Sequence, residues 1–475
     1  MFFKQKSNVI FRNYESFGYI TDNRNFEYRQ TNNNEEYIGD KILSEAGAVF
    51  MSVLNKKPQN IDELAVIINK QFADVEIKII KNDAKEFYCM LEQDGFVVSG
   101  KTMQECNDKD IRFSYKKTNI GIVKKEILQK TKHSEKSTQN FLEDYFKGKS
   151  LLTNLHLEII SKCNERCIHC YIPHDDKTSS MKPELFYDIL NQAFDMRVLN
   201  LTLSGGEPML HNNFSDFLKK CREYDFSVNV LSNLTLLDDK IIKEMRKNPL
   251  LSIQVSLYSM DSDIHDEITQ VKGSFRKTKS AIVKLIENDI PLQISCPIMK
   301  QNKNCYNKVI KWAEKYKIHV GDDYGIIGEY NHSAKNLSCR LSIDEIKEVI
   351  IDKVENDAKY LEQIEAAADK KQNITINDSI CTVCRSSICI TNSGSVYPCE
   401  GWQNYIVGNV NETSLNDIWN NSEKVKYLRG LRNQDFPKCI QCPDKDFCTM
   451  CMVRNANENP KGDPLVVSEF FCSVA

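Results

Sequence analysis

Three cysteines stand close together in the run Cys163-Asn-Glu-Arg-Cys167-Ile-His-Cys170. Thiolates at this spacing can hold three irons of a four-iron cluster, leaving the fourth iron open to a ligand. The same thiols with His169 or His174 can instead build a tetrahedral zinc site, and the loop alone leaves both readings open. A second group, Cys381, Cys384, Cys389, Cys399, Cys439, Cys442, Cys448, Cys451 and Cys472, crowds into the last hundred residues. Its C-x2-C pairs ordinarily suggest structural zinc. A third candidate is Ser204-Gly205-Gly206-Glu207-Pro208. Glycines there let a ligand approach the backbone, and Glu207 can accept a hydrogen bond from an ammonium group.

These groups must be held by regular elements. From Leu151 the chain alternates strands and helices, with strands predicted at 155–160, 198–203, 226–231, 251–257, 292–298 and 318–321. One intervening helix, 182–196, puts Phe186, Ile189, Leu190 and Ala193 on one face, and another covers 279–287. Six β/α units in a row imply a parallel sheet curled into a barrel or partial barrel. The cysteine loop follows the first strand and the Gly-Gly-Glu turn follows the second, so both lie at the carboxyl ends of parallel strands, where active sites of such folds sit. Leu251, Ile253, Val255 and Leu257 alternate with Ser252, Gln254, Ser256 and Tyr258, and other strands repeat the pattern. One face is apolar and packs under the helices; the other is polar and predicts a wide barrel with a wet interior, unlike the apolar filling of a closed eight-stranded barrel.

The chain has 475 residues, enough for about three domains. Its formal net charge of −3 offers no field for nucleic acid or an anionic membrane. No apolar run is long enough to span a bilayer, and the start lacks the apolar segment of a signal peptide, so the expected location is cytoplasmic. In that reducing compartment, 18 cysteines point to metal or redox chemistry rather than disulfides. Residues 1–100 read as a separate unit: a hairpin around Val9–Phe11 and Phe17–Ile20, then helices, then a short strand at Phe96-Val97-Val98. Asn60-Ile61-Asp62-Glu63 opens one helix, with Ile61, Leu64, Ala65 and Ile68 on its apolar face. A further helix carries Ile80, Ala84, Phe87, Tyr88 and Leu91, and Gly95 ends it. This is a winged-helix-like order. Between Asn60 and Val98 eight acidic residues face four lysines, a balance wrong for binding DNA phosphates. Residues 101–150 read as a lysine-rich linker with room for one amphipathic helix.

Cys163, Cys167 and Cys170 after the first strand, with the Gly205-Gly206-Glu207-Pro208 turn after the second, resemble the radical S-adenosylmethionine (SAM) superfamily. His169 stands where that family carries an aromatic residue before its third cysteine. Ser232-Asn233 matches a ribose-contacting turn, Ser256 matches a SAM-contacting position, and Ser256-Leu-Tyr258 through His265-Asp266 and Gly273-Ser-Phe275 is also similar. The resemblance implies that the open iron binds SAM, and that one-electron cleavage gives a 5′-deoxyadenosyl radical that takes hydrogen from an unactivated C–H bond. SAM contacts are then expected at Gly205, Gly206, Glu207, Ser232, Asn233 and Ser256.

Cys384-x9-Gly394-x4-Cys399, Cys439-x2-Cys442-x5-Cys448-x2-Cys451 and Cys472 resemble the SPASM extension of radical SAM enzymes. The gap between Cys448 and Cys451 holds two residues where the family usually has three. The resemblance implies two auxiliary 4Fe–4S clusters, three clusters in all: the first auxiliary cluster on Cys384, Cys399 and Cys451 with Cys381 as fourth ligand, the second on Cys439, Cys442, Cys448 and Cys472. Cys389 or an open iron are the rivals to Cys381. The N-terminal unit resembles a PqqD-like recognition element for leader peptides, which adds a peptide as a strand to its sheet edge. The expected fold is therefore α/β: a partial (β/α)6 radical SAM barrel at 151–345, a winged-helix-like domain at 1–100, a helical bridge at 346–380 and a cysteine-rich SPASM domain at 381–475. The expected enzyme matures a ribosomally made precursor peptide carrying a leader, with a flavodoxin- or ferredoxin-type electron donor and neither nucleic acid nor membrane as partner. Thioether formation comes first, then carbon–carbon cross-linking, then epimerisation. Cys296, a conceivable hydrogen donor for the last, shares the apolar strand face with Leu292 and Ile294. The non-enzymatic rival is a zinc-binding winged-helix regulator.

Overall fold

The computed structural model describes residues 1–14, 16–22, 39–72, 74–110, 149–357, 360–362, 364–365, 375–381, 383–445, 448 and 450–474. Most of the expected linker, and part of the expected helical bridge, lie outside them.

The N-terminal unit contains β1 (Phe2–Gln5), β2 (Ile10–Asn13), β3 (Gly18–Thr21), β4 (Asp40–Leu43), α1 (Glu45–Val53), β5 (Gln59–Asn60), α2 (Ile61–Asn69), α3 (Ile77–Gln93), β6 (Val97–Gly100) and α4 (Met103–Lys109). Strands β2, β3 and β4 form an antiparallel meander, and β1 lies between β5 and β6. The Asn60 side chain caps α2 by accepting from the Asp62 amide at 2.9 Å. Ile61, Leu64, Ala65 and Ile68 are buried as their spacing predicts, and so are Ile80, Ala84, Tyr88 and Leu91 of α3. Gly95, at φ +91°, ends α3 in the left-handed conformation that glycine adopts without a Cβ penalty. Helix α4 extends this unit past residue 100: the Lys4 ammonium, nearly buried, pairs with Asp110 at 2.7 Å.

The barrel strands β7 (Asn154–Ile160), β8 (Asn200–Gly205), β9 (Ser227–Ser232), β10 (Leu251–Ser256), β11 (Leu292–Ser295) and β12 (Val320–Gly321) are parallel and adjacent in chain order. Helices α5 (Pro183–Asp195), α6 (Phe214–Glu223), α7 (Asp239–Met245), α8 (Ser262–Thr269), α9 (Ser274–Glu287) and α10 (Tyr306–Glu314) separate them, and α11 (Ile343–Asn356) follows. Leu155, Leu157, Leu201, Leu203, Val228, Val230, Ile253, Val255, Leu292 and Ile294 form one core with the helices. On the opposite face, polar side chains bond across neighbouring strands: Asn200 to Asn154, Ser252 to Asn229 and Gln293 to Gln254, at 2.9, 3.2 and 2.9 Å. The alternation in the sequence is thus the division between core and polar concave face. Cys296 lies in the core, its thiol directed at the Tyr258 carbonyl at 3.6 Å.

The C-terminal region joins the same sheet. Strand β13 (Ser387–Thr391) pairs in parallel with the free side of β7, and β14 (Ser395–Tyr397) and β15 (Gly408–Asn409) follow antiparallel, making one open nine-stranded sheet. The N-terminal unit docks at the other end of the barrel. Arg12, 4% exposed, donates to the carbonyls of Val198 at 3.1 Å and Asp225 at 3.1 Å, and its guanidinium lies over the rings of Phe194 and Phe226. Lys56 pairs with Asp225 at 2.8 Å. Val198 and Phe226 precede β8 and β9, so this contact is at the amino ends of the strands, opposite the cysteine loop. Among the described residues, no helix is long and apolar enough to cross a membrane.

Candidate active site

The cysteine loop leaves β7 at Ser161. Two backbone bonds pin it to the end of α8: Arg166 N to Thr269 O and Ile168 N to Ile268 O, both 3.0 Å. The turn after β8 supports it from below. Gly206 N donates to Ile160 O at 2.8 Å and Glu207 N to Lys162 O at 2.9 Å. A Cβ on Gly205, at φ +127°, would lie 1.9 Å from Ile160 O, and one on Gly206 would lie 2.2 Å from Lys162 O. The sequence reading reserved these glycines for the approach of a ligand; the structure shows that the chain's own backbone, leading into Cys163, takes up that space.

Glu207 is wholly buried. Its carboxylate accepts from Met209 N at 2.9 Å, Ser232 Oγ at 2.9 Å and Asn233 N at 2.8 Å. Burial pushes it up to about 7, against the lowering effect of those three bonds. The oxygens expected to meet an ammonium group are thus engaged inside the chain, tying the end of β8 to the end of β9. The Asn233 side chain then donates to Asn164 at 2.9 Å, next to Cys163. Ser256 bonds the Tyr258 hydroxyl, which in turn lies 3.8 Å from Cys167 Sγ, and the Tyr258 ring packs edge-on against His169. Gly205, Gly206, Glu207, Ser232, Asn233 and Ser256 are therefore all joined, directly or through one residue, to the cysteine loop.

Cys163, Cys167 and Cys170 come together, each half-buried. Burial pushes Cys163 up to about 11, and burial with the neighbouring Glu165 carboxylate pushes Cys167 well above the usual thiol value. Such thiols ionise readily only beside added positive charge. Lys177 Nζ, 3.4 Å from Cys170 Sγ, supplies some. Glu165 Oε1, His169 Nδ1 and His265 Nε2, on and beside the loop, are buried with no partner among the described residues. A cationic group on the thiols fits both the donor set and these open polar atoms. Glu165, Lys177, Asn164 and the contact of Tyr258 with Cys167 were not picked out from sequence; a charged residue inside the C-x3-C spacing was the available signal for Glu165.

All 18 cysteines are free thiols. The C-terminal ones form two groups. Cys439 feels the charge of Cys448, Cys472 and Cys442, and Cys448 that of Cys442 and Cys472. Cys381 is close to Cys384 and to Cys451, and Cys451 is close to Cys399. The resemblance to the SPASM extension implies the same two groupings. Burial raises Cys384 to about 12, and Arg429, which donates to the Cys384 carbonyl at 2.7 Å, opposes the rise. Cys389 lies on β13, wholly buried beside His156 and Glu158 and near Cys399.

The comparisons with known proteins agree with this geometry. Residues 157–313 match the Radical SAM superfamily and residues 381–443 match SPASM, the iron–sulfur cluster-binding domain. The chain is 24% identical over 313 residues to the antilisterial bacteriocin subtilosin biosynthesis protein AlbA of Bacillus subtilis, covering 64% of this chain and 67% of that protein. It is 25% identical over 322 residues to the AdoMet-dependent heme synthase of Methanosarcina barkeri, covering 62% and 90%. Its fold is similar to that of Streptococcus suis SuiB solved with the precursor peptide SuiA, with a TM-score of 0.62 and 16% identity over 99% of this chain and 100% of that one. With a parallel barrel, a three-cysteine loop on its carboxyl face and a cysteine-rich sheet extension, the chain carries a radical SAM domain followed by a SPASM domain and is an enzyme that uses S-adenosylmethionine and iron–sulfur clusters.

Proposed function

We propose that this enzyme installs thioether cross-links, cysteine sulfur to carbon, in a ribosomally made precursor peptide. The observation that supports a precursor-peptide substrate is the extent of the likeness to SuiB: it takes in the N-terminal unit as well as the barrel, and SuiB was solved with its precursor peptide. AlbA, named for bacteriocin biosynthesis, supports the same class.

In this reading Cys163, Cys167 and Cys170 hold the SAM-binding cluster. Cys381, Cys384, Cys399 and Cys451 hold one auxiliary cluster, and Cys439, Cys442, Cys448 and Cys472 the other. When bound, SAM and its cluster would supply a 5′-deoxyadenosyl radical that abstracts hydrogen from a C–H bond, and the auxiliary clusters would supply an electron acceptor. The protein's part is to orient and to exclude water. Ser232, Asn233 and Ser256, with the backbone of Gly205 and Gly206, would hold the cofactor, and Glu207 is a positioning residue acting through Ser232 and Asn233. The N-terminal unit acts as the PqqD-like leader-binding element, and Arg12 fixes it to the barrel. A flavodoxin- or ferredoxin-type protein delivers the electron in the cytoplasm.

The test is intact-mass analysis of the precursor peptide before and after thiol alkylation. Each thioether removes two hydrogens and one alkylatable thiol. Loss of two hydrogens with every thiol still alkylatable would mean a carbon–carbon link instead. Unchanged mass with deuterium uptake from solvent would mean epimerisation.

A further inference from the structure

Strands β7 and β13 run in parallel register with Cys389 opposite His156. These two side chains and Glu158 share the concave face, turned away from Leu155 and Leu157 in the core. One ligand atom from each of the three lies within 4.8 Å of the other two. Cys389 is 0% exposed and Glu158 is 5% exposed. The Cys389 thiol makes no hydrogen bond among the described residues. Glu400, following Cys399, adds its charge to all three. Among the described residues neither Glu158 nor Glu400 has a lysine or arginine partner. A buried carboxylate and thiol beside an imidazole, with the exposed Glu400 carboxylate close by, need protons or a metal cation to be stable.

We propose that His156, Glu158 and Cys389 bind a single divalent ion of the zinc type, separate from the iron–sulfur clusters. One nitrogen, one oxygen and one sulfur donor are the ligand types zinc accepts, and three protein ligands leave a fourth position for water or substrate. The outer contacts suit ligands held in place: Ser204 Oγ bonds His156 Nε2, and the Tyr171 hydroxyl and the Gln403 side chain bond Glu158. The site lies on the polar face near Cys399, between β7 of the barrel and β13 of its C-terminal extension. It does not depend on which cross-link the enzyme makes in its peptide.

The experiment is zinc analysis and zinc K-edge absorption on the full chain, loaded anaerobically with iron and then exposed to one equivalent of zinc. The expected result is about one zinc per chain with one sulfur neighbour at about 2.3 Å and nitrogen or oxygen neighbours at about 2.0–2.2 Å. Cys389→Ala and His156→Ala should each weaken zinc binding at least tenfold with iron content unchanged, and Glu158→Gln gives a milder third variant. The sulfur count in the unaltered chain needs no variant to fold. No bound zinc, or zinc with three or four sulfur neighbours in vacant auxiliary positions, would overturn the proposal. So would loss of about four irons in Cys389→Ala, which would make Cys389 a cluster ligand.

Discussion

The Glu207 carboxylate accepts a hydrogen bond from the Asn233 amide at 2.8 Å, joining the ends of two neighbouring barrel strands inside a fully buried pocket. Its folded-state pKa of about 7 lies above the usual carboxyl value. The folded protein therefore holds this proton more tightly than the unfolded chain. Its stabilising contribution is full below about pH 4 and is lost as pH rises to about 7. Thermal unfolding of cluster-free protein should show that decline, and Glu207→Gln should flatten it. Equal pH slopes in the two proteins would contradict this assignment.

Gly206→Ala places a Cβ 2.2 Å from Lys162 O and 2.4 Å from Ser161 O, which are backbone atoms that cannot swing away. The cysteine loop must shift. The expected cost is at least about 2 kcal/mol of stability, with loss of about four irons from a fully loaded chain. Iron analysis and denaturant unfolding check both. Full iron content would mean that the loop tolerates the displacement.

Arg12→Ala leaves the Val198 and Asp225 carbonyls without their partner and removes a guanidinium packed on two rings. A cost of about 2–4 kcal/mol is expected at the interface. Hydrogen exchange should quicken at 198–200 and 224–227 while the core of α2 and α3 stays protected. Unchanged exchange there would show that the unit is held by other contacts.

Much of this architecture was legible because strand alternation and helix periodicity were strong: the six barrel strands fall within a few residues of their predicted positions. The nine-stranded sheet was not legible. Strand β13 pairs with β7 across more than 200 residues, and nothing local in Ser387–Thr391 marks its partner. The chain's own carbonyls on the Cβ side of Gly205 and Gly206 were not legible, because nothing in the sequence shows that Ile160, Ser161 and Lys162 run there. Cys389 was read only as a spare cluster ligand, because its neighbours His156 and Glu158 belong to a different strand.

Cys399→Ala removes one thiol from the group that also contains Cys451. Iron should fall by about four per chain, while SAM cleavage without peptide stays within a few-fold of the unaltered enzyme. Mössbauer and iron analysis measure the first, and 5′-deoxyadenosine yield the second. Loss of SAM cleavage would mean that this group belongs to the SAM-binding site.

The central claim is that Cys163, Cys167 and Cys170 form the SAM-cleaving centre of a three-cluster enzyme. The most direct measurement is 5′-deoxyadenosine production by the anaerobically reconstituted, chemically reduced chain and by the variant with all three cysteines changed to alanine. The account predicts about twelve irons and steady 5′-deoxyadenosine formation in the first, and about eight irons with no cleavage in the second. Cleavage surviving in the triple variant would contradict it.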